Sequence, residues 1–330
     1  MLTTTELLKT LCGCVGTPGD EGRVADRVKS ILSGFGTPQT DALGNVSLTL
    51  GQGEQHVLFD AHMDEIGFIV THADERGFVK VKNSGGVDRR ILDGLEIVFP
   101  AHPDIKGIIC STPPHLDEEK KVKSPDDIWI DTLDTGVQIR PGDRAAFAPQ
   151  FTQLLNGRVS ASSLDDRAGV AVLLLCLDKL STQPLDKRIT FLFSVQEELG
   201  LRGAQTGCFD LLPDCAVSVD VSYAAQPGAP EEKCGKLGGG PMIGFAPSLD
   251  CAVTNALISA AQKEEIAFQR EVMGDTSGTN ADAISTVGAG IPSGLVSVPL
   301  RSMHTPVEVV DINDIEQSAR LLARFVREGF

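Results

Sequence analysis

Strand-like apolar runs alternate with helical patterns along most of the chain, and the alternation is broken once, between residues 67 and 159. Before the break, "TTTELLKTLCGCV" and "PGDEGRVADRVKSILSGF" predict amphipathic helices, and "NVSLTL" and "HVLFDAH" predict strands. After it, "DDRAGVAVLLLCLDKL", "CAVTNALISAAQKEEI" and the C-terminal "DINDIEQSARLLARFVREGF" predict helices, interleaved with strands at "RITFLFSV", "CAVSVDV" and "SGLVSVPL". Alternation of this kind predicts an α/β fold, with a central, mostly parallel sheet covered by helices on both faces. Inside the break the runs are short and β-like ("GFIVTHA", "GFVKVKN", "LEIVFP", "IKGIICS", "RAAFA", "GRVSA"), with turn signals "NSGG" and "RPGD" between them. The expected organisation is therefore one α/β domain made of residues 1–66 and 160–330, with an inserted small β-barrel or sandwich at 67–159. The charged, proline-bounded stretch "PPHLDEEKKVKSPDD" inside the insertion is expected to be an exposed loop.

Bulk properties exclude several functions. The chain has 45 acidic against 29 basic residues, a net charge of −16, which disfavours nucleic acid and anionic membrane as partners. Its 42% hydrophobic and 22% charged content is that of a globular protein with a sizeable core. The N-terminus lacks the basic segment of a signal peptide, and no apolar run reaches the roughly 18 residues a membrane span requires. None of the eight cysteines forms a CxxC pair, so a reducing, cytoplasmic location is expected.

Chemistry-bearing residues follow the apolar strands. His62 and Asp64 come after "VLFDA", Glu197 and Glu198 after "ITFLFSV", Asp220 after "CAVSV" and His304 after "LVSVPLRSM". Asp165, in "SSLDDRAG", marks the return of the chain to the α/β domain. Each has an ordinary explanation when taken alone: a structural histidine, a solvated glutamate pair at a helix start, an N-cap with a local ion pair. Together they converge, because ligands of open α/β sheets bind beyond the carboxyl ends of the strands. Two adjacent glutamates at the end of a buried strand repel each other, and cations relieve that repulsion.

Charge balance favours two divalent ions. Asp165, Glu198 and Asp220 with neutral His62 and His304 give −3 against +4, and a bridging hydroxide neutralises the remainder. Such a site suits hydrolysis. Carboxylates and imidazoles without thiolate suit zinc, cobalt or manganese, with zinc ranked first. Only one of two adjacent glutamates easily ligates the same ion. Glu198 is therefore expected to hold a metal and Glu197 to act as general base. Asp64 is expected to accept the second imidazole N–H of His62 and fix its tautomer.

The segments "AHMDEIGF", "SLDDRAG", "SVQEELGLRGA", "SVDV", "KLGGGP" and "RSMHTPVE" resemble the successive motifs of metallopeptidase family 42, nearly end to end. These are co-catalytic aminopeptidases that assemble as tetrahedral dodecamers, some named glutamyl aminopeptidase or endoglucanase. The resemblance implies a zinc-exopeptidase-like fold and two metal ions per subunit. It implies that Asp165 bridges the ions, that His62 and Asp220 complete one and Glu198 and His304 the other, and that Glu197 is the base. It also implies short peptides as substrates and a dodecamer built from dimers through the inserted domain. One departure stands out: the family often carries a "GGTDA"-like turn, whereas this chain reads "SGTNADAI", with Asn280 in place of the expected Asp.

Two other functions fit the pattern less well. A glycosidase needs paired carboxylates and usually aromatic platforms, and this chain has one Trp, Trp129, and one Tyr, Tyr223. A non-enzymatic or catalytically weak oligomeric member of the fold has little reason to keep Glu197 beside a complete ligand set.

Overall fold

The computed structural model describes residues 2–328 apart from 114, 117–121, 125 and 134–137. An 11-stranded sheet forms the body of the molecule, and a separate closed barrel of six strands interrupts it in sequence. At the centre of the sheet, Arg188–Ser194, His56–His62, Cys215–Tyr223 and Ser293–Arg301 lie side by side and parallel. Every residue of His56–His62 is buried. That continuous burial explains why the strand reads as an apolar run rather than an alternation: helices cover both of its faces.

On one face the helix Leu164–Ser181 packs against the sheet with almost its whole surface buried. Thr4–Cys12 and Ile312–Glu328 lie over it. The latter buries Ile315, Ala319, Leu322 and Val326, a spacing of three to four residues that gives an amphipathic helix one apolar stripe. Thr4–Cys12 starts at a reciprocal cap between Thr3 and Glu6. On the other face, Arg202–Phe209 and Asn280–Ile284 enclose a smaller cluster around Leu58, Leu192, Cys208 and Ile284.

The sheet is antiparallel at its flanks. Val46–Leu50 pairs with Arg188–Ser194, and Glu308–Asp311 pairs with Ser293–Arg301. The hairpin Phe151–Ala161, expected as part of the inserted block, extends this sheet instead. Arg158–Ala161 pairs antiparallel with Glu308–Asp311, with Ala161 opposite Glu308. Local pattern carries no information about that long-range partner.

The barrel strands run in the order Gly67–Ala73, Phe78–Ser84, Ile128–Asp131, Lys106–Ile109, Glu96–Val98, Arg144–Phe147. Alternate side chains fill a core of its own around Phe68, Val81, Ile97, Ile130 and Phe147. Ile128–Asp131 was not foreseen, since the four-residue "IWID" follows directly on the charged stretch. Part of that stretch (114, 117–121 and 125) lies outside the described residues, and the remainder forms no helix or strand. All eight cysteines are free. Among the described residues, no helix is long and apolar enough to cross a membrane.

Candidate metal centre and active site

Parallel strands in register bring the chemistry to one edge. His62 is the last residue of its strand and stands opposite Ser194, the last residue of the neighbouring one. Glu197 and Glu198 follow three and four residues later. Asp220 lies inside a strand that continues to Tyr223, rather than beyond its end. His304 sits past Arg301 with φ of 60°, a left-handed conformation unusual for a side chain of its size.

Asp165 stands between the two histidines. Its Oδ1 is 3.2 Å from His62 Nε2, and its Oδ2 is 3.4 Å from His304 Nε2. Around the first contact lies Asp220, whose Oδ1 is 4.0 Å from His62 Nε2. Around the second lies Glu198, whose Oε1 is 3.3 Å from His304 Nε2. Donor atoms of Asp165, Glu198 and His304 fall within 4.8 Å of one another, as do those of His62, Asp220 and Asp166. The structure thus gathers all five expected ligands, with Asp165 facing both halves.

Asp166 had no role in the sequence reading. It joins the first group, but its carboxylate already accepts the backbone N–H of His62 at 3.3 Å and of Gly169 at 2.9 Å. The doublet "DD" carried a signal for it, obscured because an N-cap explains the same letters. Asp64 stands beside the His62 ring, where a partner for its second N–H was expected, and has a further employment. His62 Nδ1 is 3.1 Å from the backbone oxygen of Asp64 and 3.4 Å from its carboxylate. The carboxylate oxygens accept the N–H groups of Glu197 (3.0 Å) and Glu198 (3.1 Å), so Asp64 ties the histidine loop to the glutamate loop.

The insertion reaches this site. His304 Nδ1 is 2.9 Å from the carbonyl oxygen of Gly86, in the "NSGG" turn of the barrel, and Gly86 N donates to Glu198 Oε2 at 3.4 Å. In the sequence that turn is only punctuation between strands. The unusual Asn280 is buried and turned away from the cavity: its Nδ2 donates to Asp60 Oδ2 at 2.8 Å and to Ser194 Oγ at 2.9 Å. An Asp there would face Asp60 carboxylate to carboxylate, so the departure supports the strand beneath His62. Neighbouring Ser277, Gly278 and Thr279 line the cavity in its stead.

The electrostatics call for positive charge. Burial disfavours the charged form of His304, yet hydrogen bonds to Asp165 and Glu198 outweigh it and push its pKa up to about 11. His62 is raised well above its usual value against a similar burial penalty, chiefly by Asp165 and Asp64. Burial pushes Glu197 up to about 8, helped by the negative charges of Glu198, Asp165 and Asp64. A field that favours protons on two imidazoles also favours divalent cations between them. The donors, carboxylate oxygens and ring nitrogens without thiolate, fit zinc, cobalt or manganese. The site opens into a cavity of about 890 Å³ walled in part by Tyr223, Met242, Glu271, Met273 and Met303.

Comparison with known proteins places the fold and the family. The lysyl aminopeptidase of Pyrococcus furiosus is 30% identical, over 98% of this chain and 96% of its own. An aminopeptidase from the archaeon Desulfurococcus kamchatkensis superposes with a TM-score of 0.91 at 31% identity, covering 99% of this chain and 95% of its own. The TET1 peptidase of Pyrococcus horikoshii, described as able to assemble into a tetrahedron or a large octahedral shell, does so with a TM-score of 0.87 at 31% identity, covering 98% of each chain. The fold is that of a peptide hydrolase of the aminopeptidase class. The M42 glutamyl aminopeptidase profile matches residues 44–321, and the chain belongs to that family.

Proposed function

We propose that the chain removes N-terminal residues from short peptides with two divalent metal ions per subunit, zinc foremost and cobalt or manganese as alternatives. The observation that carries this reading is the position of Asp165, one oxygen toward His62 and the other toward His304. His62 and Asp220 would complete one ion, and Glu198 and His304 the other. Ions so held would acidify water near neutral pH and polarise the scissile carbonyl.

Glu197 has the protein's share of the proton transfer. Its carboxylate takes the proton of the attacking water and hands it to the leaving amine. The burial and neighbouring negative charge that raise its pKa make it a stronger base than a solvated glutamate. Asp64 holds both glutamates by their backbone amides, so base and ligand move together or not at all. The inserted block, placed at 67–159 from the sequence between 1–66 and 160–330 and with its closed barrel running from Gly67 to Phe147, is proposed as the oligomerisation module of a homo-oligomer. A dodecamer built from dimers is the form proposed, as is a cytoplasmic location in keeping with eight free thiols.

The test is hydrolysis of Leu, Glu, Lys, Ala and Phe p-nitroanilides by zinc- or cobalt-loaded protein, beside Glu197→Gln. Turnover that falls by about 10²–10⁴-fold in the variant at unchanged metal content supports the assignment of the base. Full turnover in the variant removes Glu197 from that role, and protein that binds no dication removes the metal mechanism.

A further inference from the structure

We infer that Glu308, outside the ligand set, is the positioning residue that builds the Asp165–Glu198–His304 half of the site, by holding the backbones of Asp165 and His304 on its two carboxylate oxygens. This rests on the two-metal reading above. Glu308 Oε2 accepts the N–H of Asp165 at 3.1 Å, and Oε1 accepts the N–H of His304 at 2.9 Å. The residue is 2% exposed. Among the described residues, no Lys or Arg lies within ion-pair distance of it.

A buried carboxylate without a cation is a poor choice for packing alone, since an apolar side chain of similar size fills space without desolvating a charge. Its geometry gives the reason for its presence. Asp165 leaves the Arg158–Ala161 strand, and His304 belongs to the turn before Glu308–Asp311. The two strands pair with Ala161 opposite Glu308, which sets the carboxylate level with both loops. His304 and Ser302 both have positive φ, so the turn relies on outside contacts to keep its shape. Asp64 does the equivalent for Glu197 and Glu198. Loss of Glu308 acts on two of the three groups in one half of the site. In the other half it reaches only Asp165, leaving His62 and Asp220 untouched.

Glu308→Gln keeps the shape but turns an NH₂ group toward one of the two N–H donors. Glu308→Asp keeps the charge but is one methylene too short to reach both. Each variant and the wild type would be stripped of metal and titrated with cobalt(II), following the visible d–d absorption and the metal bound per subunit. The expected result is a first equivalent bound as in wild type and a second bound about 10–100-fold more weakly, with the metal-free melting point lowered by no more than about 4 °C. Two wild-type equivalents in both variants overturn the inference. So does equal weakening of both equivalents alongside a larger fall in melting point, which is what a packing role produces. Wild-type protein that takes up fewer than two equivalents overturns the two-metal reading itself, and this inference with it.

Discussion

Arg167→Met is expected to lower the melting temperature by about 4–7 °C, and a second substitution, Glu65→Gln, is expected to restore part of it. Arg167 follows Asp165 by two residues and is fully buried. Its Nε donates to the carbonyl of Met63, and its Nη1 to those of Leu11 and Cys14, each at 2.9 Å. Nη2 lies 3.6 Å from Glu65 Oε1, which also accepts the N–H of Gly16 at 2.8 Å. Methionine fills much of the same volume but leaves Glu65 buried without its cation, a change that costs about 3–5 kcal/mol. Unfolding entropy of about 2.1 cal/mol/K per residue over 330 residues is about 0.7 kcal/mol/K, which converts that loss to the stated shift. In the wild-type background Glu65→Gln weakens the pair and destabilises. In the Arg167→Met background it removes a stranded charge and returns roughly 1–3 kcal/mol. Scanning calorimetry of the four proteins of this cycle measures both. An Arg167→Met protein that melts within 1 °C of wild type (roughly 0.7 kcal/mol) refutes the reasoning, as does a Glu65→Gln effect of the same sign in both backgrounds.

Gly86→Ala is expected to lower metal affinity and kcat by about 10–100-fold with little effect on the melting point, because a Cβ there would lie 2.7 Å from His304 Nδ1; steady-state kinetics and metal content check it. Burial raises the Asp314 carboxyl to about 6 despite the N–H bonds from Gly238 and Gly240. A raised pKa means that its stabilising contribution is full below the unfolded value and is lost as pH rises through about 6. The melting point of wild type relative to Asp314→Asn should therefore fall between about pH 4 and pH 7, and a difference constant over that range rules the effect out.

The parts of this molecule legible in its sequence are those with local causes. His56–His62 is apolar throughout because it is central and parallel, and the Ile312–Glu328 helix declares itself by its apolar spacing. The cluster of candidate site residues is legible because strand ends are few and a chain rarely puts His, Glu and Asp at so many of them. What escaped depended on contacts remote in sequence. Glu308 looks like any strand residue until Ala161 is placed opposite it. Gly86 reads as a turn until His304 is found on its carbonyl. Arg167 reads as half of a local ion pair in "DDR", whereas its donors reach Leu11, Cys14 and Met63.

Those remote contacts share one logic. Asp64, Asp166 and Glu308 are buried carboxylates, and each accepts backbone N–H groups from a loop that carries a site residue. Amide donors hold an anion in place without neutralising it, and burial pushes the carboxyls of Asp166 and Glu308 well above the ordinary range, the same penalty on negative charge that raises Glu197 and Asp220. Arg167, the buried cation nearest in sequence, faces carbonyls and Glu65 instead. Among the described residues, no Lys or Arg lies within ion-pair distance of Asp165, Glu198 or Asp220. A hydrophobic interior tolerates such an accumulation of acidic groups when carboxyls take up protons, when His62 and His304 carry charge, or when cations enter from outside the chain. The braces and the candidate ligands would then be one device: the braces fix loop geometry, and cations held between the candidate ligands would complete the same loops that they serve in chemistry.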